Sequence, residues 1–288
     1  MRNEHTLRAK IRTLADYAAT GIAVFSTVLV VAPLVAIFIY LVYKGAVSLN
    51  WDFFTKVPKP VGEAGGGMAN AIAGSAILLG LGSLIGIPIG IGGGVFLAEF
   101  GRGTRLANAV RFTADVLNGV PSIVMGIAIY SLVVVPQGHF SAFSGGVVLG
   151  VMMIPTVCRT TEEMLLMVPN SVREAALALG VPNWRSVVAI TVRTASPGII
   201  TGCMLAFARV AGETAPLIFT AFGNGDWSAR LNEPIAALPL QIYVYALSPY
   251  DEWHRLAWAG ALVLIVLIVL AVSLVRYVTS RGVLKGAS

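Results

Sequence analysis

Six apolar runs alternate with polar stretches along the 288 residues, at roughly 18–43, 70–98, 109–136, 144–166, 190–222 and 256–278. Each has the ~20 residues that a helix needs to cross ~30 Å of hydrocarbon. None shows the two-residue alternation of a barrel strand. Backbone groups in lipid must be satisfied within their own segment, so the pattern predicts an all-α membrane protein with six transmembrane helices. The organisation that follows is an N-terminal segment at 1–17, a first span at 18–43, a loop at 44–69, a core of five spans over 70–278 and a tail at 279–288.

Basic residues assign the sides. With the N-terminus in the cytoplasm, the inner side carries Arg2, Arg8, Lys10, Arg12, Arg102, Arg105, Arg111, Arg159, Arg173, Arg185, Arg193, Arg276, Arg281 and Lys285. The outer side carries Lys44, Lys56, Lys59, Arg230 and Arg255. This bias puts both termini in the cytoplasm and the long loops 44–69 and 223–255 outside. The second of these loops is rich in aromatic residues and proline, including Trp227, Pro234, Tyr243 and Trp253, and reads as an interfacial structure containing a short helix.

Between the fourth and fifth runs lies a short polar segment, Ser171 to Gly180. Ser171 and Glu174 have capping-box spacing. Gly180 suits the left-handed turn that ends a helix, and Pro182 blocks its continuation. Val172, Ala175, Ala176 and Leu179 share one face at i, i+3, i+4 and i+7. About eight residues do not hold a helix in water by propensity, so this helix needs a groove to sit in. The pattern predicts a docking helix on the cytoplasmic side.

Composition agrees with a membrane protein: 57% of residues are hydrophobic and 12% charged. The net charge of +6 is accounted for by the inner loops and gives no reason to invoke nucleic acid. The run Ala18 to Val42 is too long for a signal-peptide core and reads as a retained anchor. Cys158 and Cys203 lie inside apolar runs and read as small buried hydrophobes. Gly82, Gly86, Gly90 and Gly94 recur every four residues and make a stripe for close helix contact. Pro88, Pro121, Pro155, Pro197 and Pro216 each sit within a span, where kinks are tolerated.

Two intramembrane segments are candidates for chemistry. The first holds Arg209, Glu213 and Thr214. Four-residue spacing puts Arg209 and Glu213 on one helical face. A mid-bilayer charge costs on the order of 2.5–3.5 kcal/mol, so two charges here imply either a lined pathway or an ion pair that locks helices. In the pathway reading Arg209 contacts an oxyanion through its two-pronged fork, Glu213 accepts from an anion that still carries a proton, and Thr214 adds a hydroxyl. The second segment holds Asn118 and Ser122. Gly119 and Pro121 there can break the helix and free N–H groups for an anion; a kinked packing segment is the other reading. No P-loop, His-Glu-x-x-His, Gly-x-Ser-x-Gly or Cys/His cluster occurs, and His5, His139 and His254 lie outside the apolar centres. The sequence therefore points to no cofactor, no metal and no ATPase of its own.

Glu174-Ala175-Ala176 followed by Gly180 resembles the EAA loop of ABC-importer permeases, here spanning about 168–190. That resemblance implies a coupling helix docked on an ATPase, with Arg173, Glu174, Ala175, Ala176, Leu179 and Gly180 in the docking segment. It also implies the type I, MetI-like permease architecture. The family pattern often continues to Ile-x-Leu-Pro, whereas this chain has Ile190-Thr191-Val192-Arg193 and lacks that proline. Arg159-Thr160-Thr161-Glu162-Glu163, Ala208-Arg209-Val210-Ala211-Gly212-Glu213-Thr214-Ala215-Pro216-Leu217 and Ser248-Pro249-Tyr250 are similar to the phosphate permeases of that family, from about Ala71 to the C-terminus. The implied partners are a homologous permease, an ATP-binding subunit dimer, a periplasmic phosphate-binding protein, inorganic phosphate and the lipid of a bacterial inner membrane. Arg209 is implied to line the anion path, and Glu213 with it. The alternatives from the residues are a permease for sulfate or molybdate, a proton-coupled transporter using Glu213 and Asp115, and an assembly factor in which Arg209 is locked in a pair.

Overall fold

The computed structural model describes residues 2–285 except 61, 62 and 64, with side chains described from 12 to 279. The side chains of Arg2, Arg8, Lys10, Arg281 and Lys285, and the tail beyond 285, lie outside the described residues. Among the described residues the chain is helical, with one isolated bridge between Phe222 and Ile235.

The first long helix, α1 (Arg2–Ser48), is followed by a one-turn helix α2 (Trp51–Thr55) and the long α3 (Ala69–Val95), which continues through a wider π turn at Phe96–Phe100. Then come α4 (Arg105–Gly119), α5 (Ser122–Ile129), a second π turn at Tyr130–Val134 and the short α6 (Val135–Gln137). The buried α7 (Ala142–Leu166) leads to the docking segment α8 (Asn170–Ala178). A turn, α9 (Asn183–Ser186), runs through a third π turn at Val187–Thr191 into α10 (Val192–Ala211). Finally α11 (Ala215–Ile218), α12 (Leu238–Ala246) and α13 (Asp251–Lys285) close the chain.

Five helical stretches are long and apolar enough to cross a membrane, and α4 with the helix from Ser122 to Gln137 makes a sixth if that pair counts as one span. The expected continuous third span is thus corrected to two helices bent by 109°. Pro121 is the reason. It lacks an N–H, and its ring drives Val120 out of the helical region to φ −70°, ψ 130°. The expected fifth span, 190–222, starts earlier, at Asn183, and its helix stops at Ala211. Pro216 accounts for the stop, because its ring conflicts with a helical carbonyl four residues back, at Gly212. The expected short helix in the second long loop is α12.

The core is the parallel pair α3 and α7, joined along the glycine stripe. Gly82, Gly86, Gly90 and Gly94 are all buried against α7. A β-carbon on Gly86 would sit 2.7 Å from the Gly150 carbonyl oxygen and 2.7 Å from the Met153 β-carbon. The backbones meet where a larger residue would hold them apart, which is how small-residue stripes gain dispersion contact in lipid. Around this seam pack Leu78, Leu149, Met153, Val157, Ile199, Cys203, Ala206 and Val210. Cys158 and Cys203 are free and buried, as packing groups would be.

A second, smaller core closes one end of the bundle. Phe53, Met68, Leu238, Tyr245 and Ala257 gather there, so both long loops lie at the same end. The Ser75 hydroxyl accepts from the Leu238 N–H at 2.7 Å, and the Asn70 amide donates to the Asn224 carbonyl at 3.0 Å. The docking segment α8 lies at the opposite end. Helix α1 stands apart: residues 12–40 are exposed throughout, and it joins the bundle at α13, where Gly45 meets Leu262 and Tyr40 packs edge-on to Trp258 at 5.2 Å.

The glycine seam makes a direct prediction. Gly86→Val should destabilise the purified protein by about 1–3 kcal/mol or more, seen as a lower thermal midpoint in detergent. Gly80→Ala, on the open side of the same helix with nothing within 4 Å of the added carbon, should not lower it.

Candidate functional site

The residues singled out in the sequence fall into two zones. The first is the outward side of α10 and the break that follows it. Arg193, Pro197, Thr201, Leu205 and Arg209 recur every four residues and are all exposed, while Ala195, Ile199, Cys203, Ala206 and Val210 are buried. The helix therefore turns one face into the core and leaves the other unpacked. Arg209 ends the unpacked stripe, about 24 Å along the helix from Arg193 at 1.5 Å per residue. Its neighbour Val210 lines a small cavity with Leu78 and Leu149. Those two lie nine and seven residues into their helices, which sets this level about 10–14 Å below the loop end of the bundle.

Glu213 is not on the helical face of Arg209, contrary to the expectation from spacing. The helix ends at Ala211, Gly212 takes φ −97°, ψ 2°, and Glu213 lies in the turn before α11. Among the described residues Arg209 and Glu213 do not pair with each other, and neither side chain has a hydrogen bond or ion pair. The helix-locking alternative is thereby disfavoured: the guanidinium is exposed and uncommitted. Thr214 makes a long 3.5 Å contact with the Pro239 carbonyl.

The other candidate segment comes close to the same break. The Pro121 break starts α5, and α5 packs on α11, where a β-carbon on Gly126 would lie 2.7 Å from the Pro216 α-carbon. Both helix interruptions thus sit on neighbouring elements, with Ser122 one turn before Gly126 and Glu213 three residues before Pro216. Asn118 is turned elsewhere: its side-chain oxygen accepts from the Thr156 hydroxyl of α7 at 3.1 Å. It ties α4 to α7 and does not share a free face with Ser122. Ser122 is half-buried.

The second zone is the docking end. Helix α8 forms as expected, but its cap differs. It begins at Asn170, with Pro169 in the N-cap position and no side-chain cap bond. Ser171 is inside the first turn, so the capping box does not form. Pro169, held at φ −59°, ψ 143°, directs the chain into the helix instead. Glu174 is consequently free of any capping duty and is exposed, as is Ala175. The C-terminus matches the expectation. Gly180 has φ +77°, its N–H reaches the Leu177 carbonyl at 2.9 Å, and the Val181 N–H reaches the Ala176 carbonyl at 3.2 Å. These two bonds form a Schellman motif.

The shared apolar face also divides. Val172 and Ala176 turn into the protein, whereas Leu179 is 84% exposed. Leu166, Met167, Leu177, Leu179, Trp184 and Val188 form an exposed apolar surface around the docking loop. Exposed apolar side chains of this kind fit a protein or membrane contact. Arg173 points the other way, into the bundle, where it meets Glu99 at 2.6 Å. Nearby, the buried Glu162 is paired with Arg111 at 2.6 Å and Arg159 at 3.2 Å, which a carboxylate this deep requires. Sequence reading missed Glu99. Its one signal was a lone carboxylate at the end of the long glycine-striped run.

Comparison with known proteins gives the family. A family model for the binding-protein-dependent transport system inner membrane component matches residues 90–282. The phosphate transport system permease protein PstA of Yersinia pestis is 47% identical over 240 residues, covering 83% of this chain and 81% of that protein. PstA of Haemophilus influenzae is 44% identical over 274 residues, 95% of this chain and 96% of the relative. A probable PstA of Methanocaldococcus jannaschii is 33% identical over 268 residues, 93% and 94% of the two chains. Among solved structures, the inward-facing MetNI methionine ABC transporter has a chain with TM-score 0.57 at 22% identity, covering 76% of this chain and 96% of that one. A chain of an amino acid ABC transporter with histidines has TM-score 0.55 at 18% identity, covering 75% and 92%. The helical fold agrees with these solved structures, and the chain belongs to the family of binding-protein-dependent transport system inner membrane components.

Proposed function

We propose that this chain is one membrane subunit of an ATP-driven phosphate importer in a bacterial inner membrane, with both termini in the cytoplasm. It forms the translocation path together with a homologous permease and hydrolyses nothing itself. A dimer of ATP-binding subunits docks at the loop around 168–190, and a periplasmic phosphate-binding protein delivers cargo at the loop end. No cofactor or metal takes part. The observation that carries the reading is the uncommitted Arg209 on the unpacked face of α10, in a chain whose relatives are named as phosphate permeases.

The physical logic is that of an anion contact held back from its obvious partner. A guanidinium paired to Glu213 would offer nothing to cargo, whereas the break at Gly212 separates the two. Arg209 then donates in parallel to two oxygens of the anion. Glu213, with no protein donor of its own among the described residues, accepts from an oxyanion that still carries a proton and repels one that does not. Thr214 and Ser122, beside the same pair of helix interruptions, supply neutral hydroxyls. Asn118 supports the path from behind through Thr156.

Docking follows from the exposed apolar surface around α8, with Glu174, Ala175 and Leu179 on the side away from the core. ATP binding that closes the partner ATPases moves this helix and, through it, the interrupted spans, which rock between the two sides of the membrane.

Arg209→Gln should leave the complex assembled and lower phosphate uptake by about 10–100-fold, the worth of a lost charged hydrogen bond of ~1.5–3 kcal/mol. Uptake near the wild-type rate in reconstituted vesicles would remove Arg209 from the path. For docking, Glu174→Lys should reduce recovery of the ATPase subunits on affinity purification of the complex. Full recovery together with normal uptake would show that Glu174 does not meet them.

A further inference from the structure

We infer that Arg173 is the positioning residue that fastens the docking helix to the transport core, with Glu99 as its counter-charge, and is not part of the surface offered to the ATPase. This rests on the proposed function, because it concerns how motion of a docked ATPase enters the bundle. One guanidinium gathers three helix ends. Its Nε donates to both Glu99 oxygens at 3.1 and 3.2 Å, and Nη2 donates to Glu99 Oε1 at 2.6 Å. Nη2 also donates to the Leu165 carbonyl at 2.8 Å, and Nη1 to the Val168 carbonyl at 2.6 Å and the Asn170 side-chain oxygen at 3.4 Å. Leu165 lies in the last turn of α7 and Val168 just past its end, where the carbonyls and the helix dipole favour a cation.

Both side chains are well shielded, at 14% exposed for Arg173 and 7% for Glu99. An ion pair this enclosed is worth little as net stability, but removing one partner leaves a buried charge uncompensated. Its value is therefore geometric. Beyond Arg173, α8 turns inward just Val172 and Ala176, two small contacts for a helix that does not hold itself together. Glu99 stands in the π turn that ends α3, where the Gly101 N–H reaches back five residues to the Phe96 carbonyl at 2.6 Å. Such turns break the regular helix and recur at functional positions. The path of force runs from α8 through Arg173 and Glu99 into α3, and along the glycine seam into α7.

Lys in place of Arg keeps the charge but loses the fork, so it cannot serve Glu99 and two carbonyls at once. The test uses the whole importer reconstituted in vesicles, with Arg173→Lys, Glu99→Gln and the two combined. Three readouts are taken: ATPase subunits retained, phosphate carried per ATP hydrolysed, and protease cleavage within residues 168–182. Each single variant should retain the ATPase subunits yet carry at least about tenfold less phosphate per ATP, because Glu99→Gln leaves the buried Arg173 without its counter-charge and Arg173→Lys cannot hold Glu99 and the carbonyls together. Each should also cleave faster, and the double variant should be no worse than the poorer single one. Unchanged transport per ATP, or effects that simply multiply, would overturn the latch. So would loss of the ATPase from Arg173→Lys alone, since Arg173 would then meet the ATPase directly. If the wild-type complex hydrolyses ATP but carries no phosphate, the cargo reading falls; the latch is then decided by the cleavage rates of the same three variants.

Discussion

Close approach of α3 and α7 is the constraint on which the rest of this molecule depends. Lipid offers no hydrophobic drive to pull two helices together, so the gain must come from packing, and packing that tight needs glycine on the contact line. Four glycines on α3 accept Leu149, Met153, Val157 and Thr161 of α7 in turn. The pair then acts as one rigid strut. At one end it carries Ser75, which pins the long outer loop through Leu238. At the other it carries Glu99 and the Leu165 carbonyl, which together hold Arg173.

Against that strut the candidate path residues lie at interrupted helices. Helix α4 turns sharply into α5 at Pro121, and α10 gives way to α11 after Ala211. Backbone that leaves the helix at membrane depth is tolerated where it lines protein or water, and both breaks meet on neighbouring elements. A charge in the same place follows the same logic. Arg209 is costly in hydrocarbon and is unpaired among the described residues, so its exposed stripe has to face a polar path or a second subunit. A continuous helix through 222 would have stacked Glu213 over Arg209 and cancelled the charge on which the proposed anion contact rests.

Much of this was legible in the sequence, because it is written in local rules. A four-residue glycine period, a Gly-x-Pro break and a glycine before Val181 and Pro182 each constrain the backbone within a few residues. What local rules missed is also physical. Ser171 and Glu174 have the spacing of a capping box, but Pro169 takes the N-cap position two residues earlier and leaves Glu174 exposed. Arg173 reads as a basic residue of an inner loop and, by resemblance, of the docking segment; its partner lies 74 residues away, and that distance carries no periodic signal. Arg209 and Glu213 obey the helical spacing on paper. The helix stops between them, since Pro216 acts on the turn before it.

The central claim joins an external engine to a phosphate path through this chain, and a transport measurement on the assembled complex tests it most directly. The four kinds of subunit are placed in sealed vesicles with ATP available to the ATPase side, no proton gradient, and labelled phosphate with excess sulfate. Phosphate accumulation that requires ATP and resists sulfate is the predicted result. Accumulation that follows a proton gradient without ATP, or that sulfate abolishes, would contradict it.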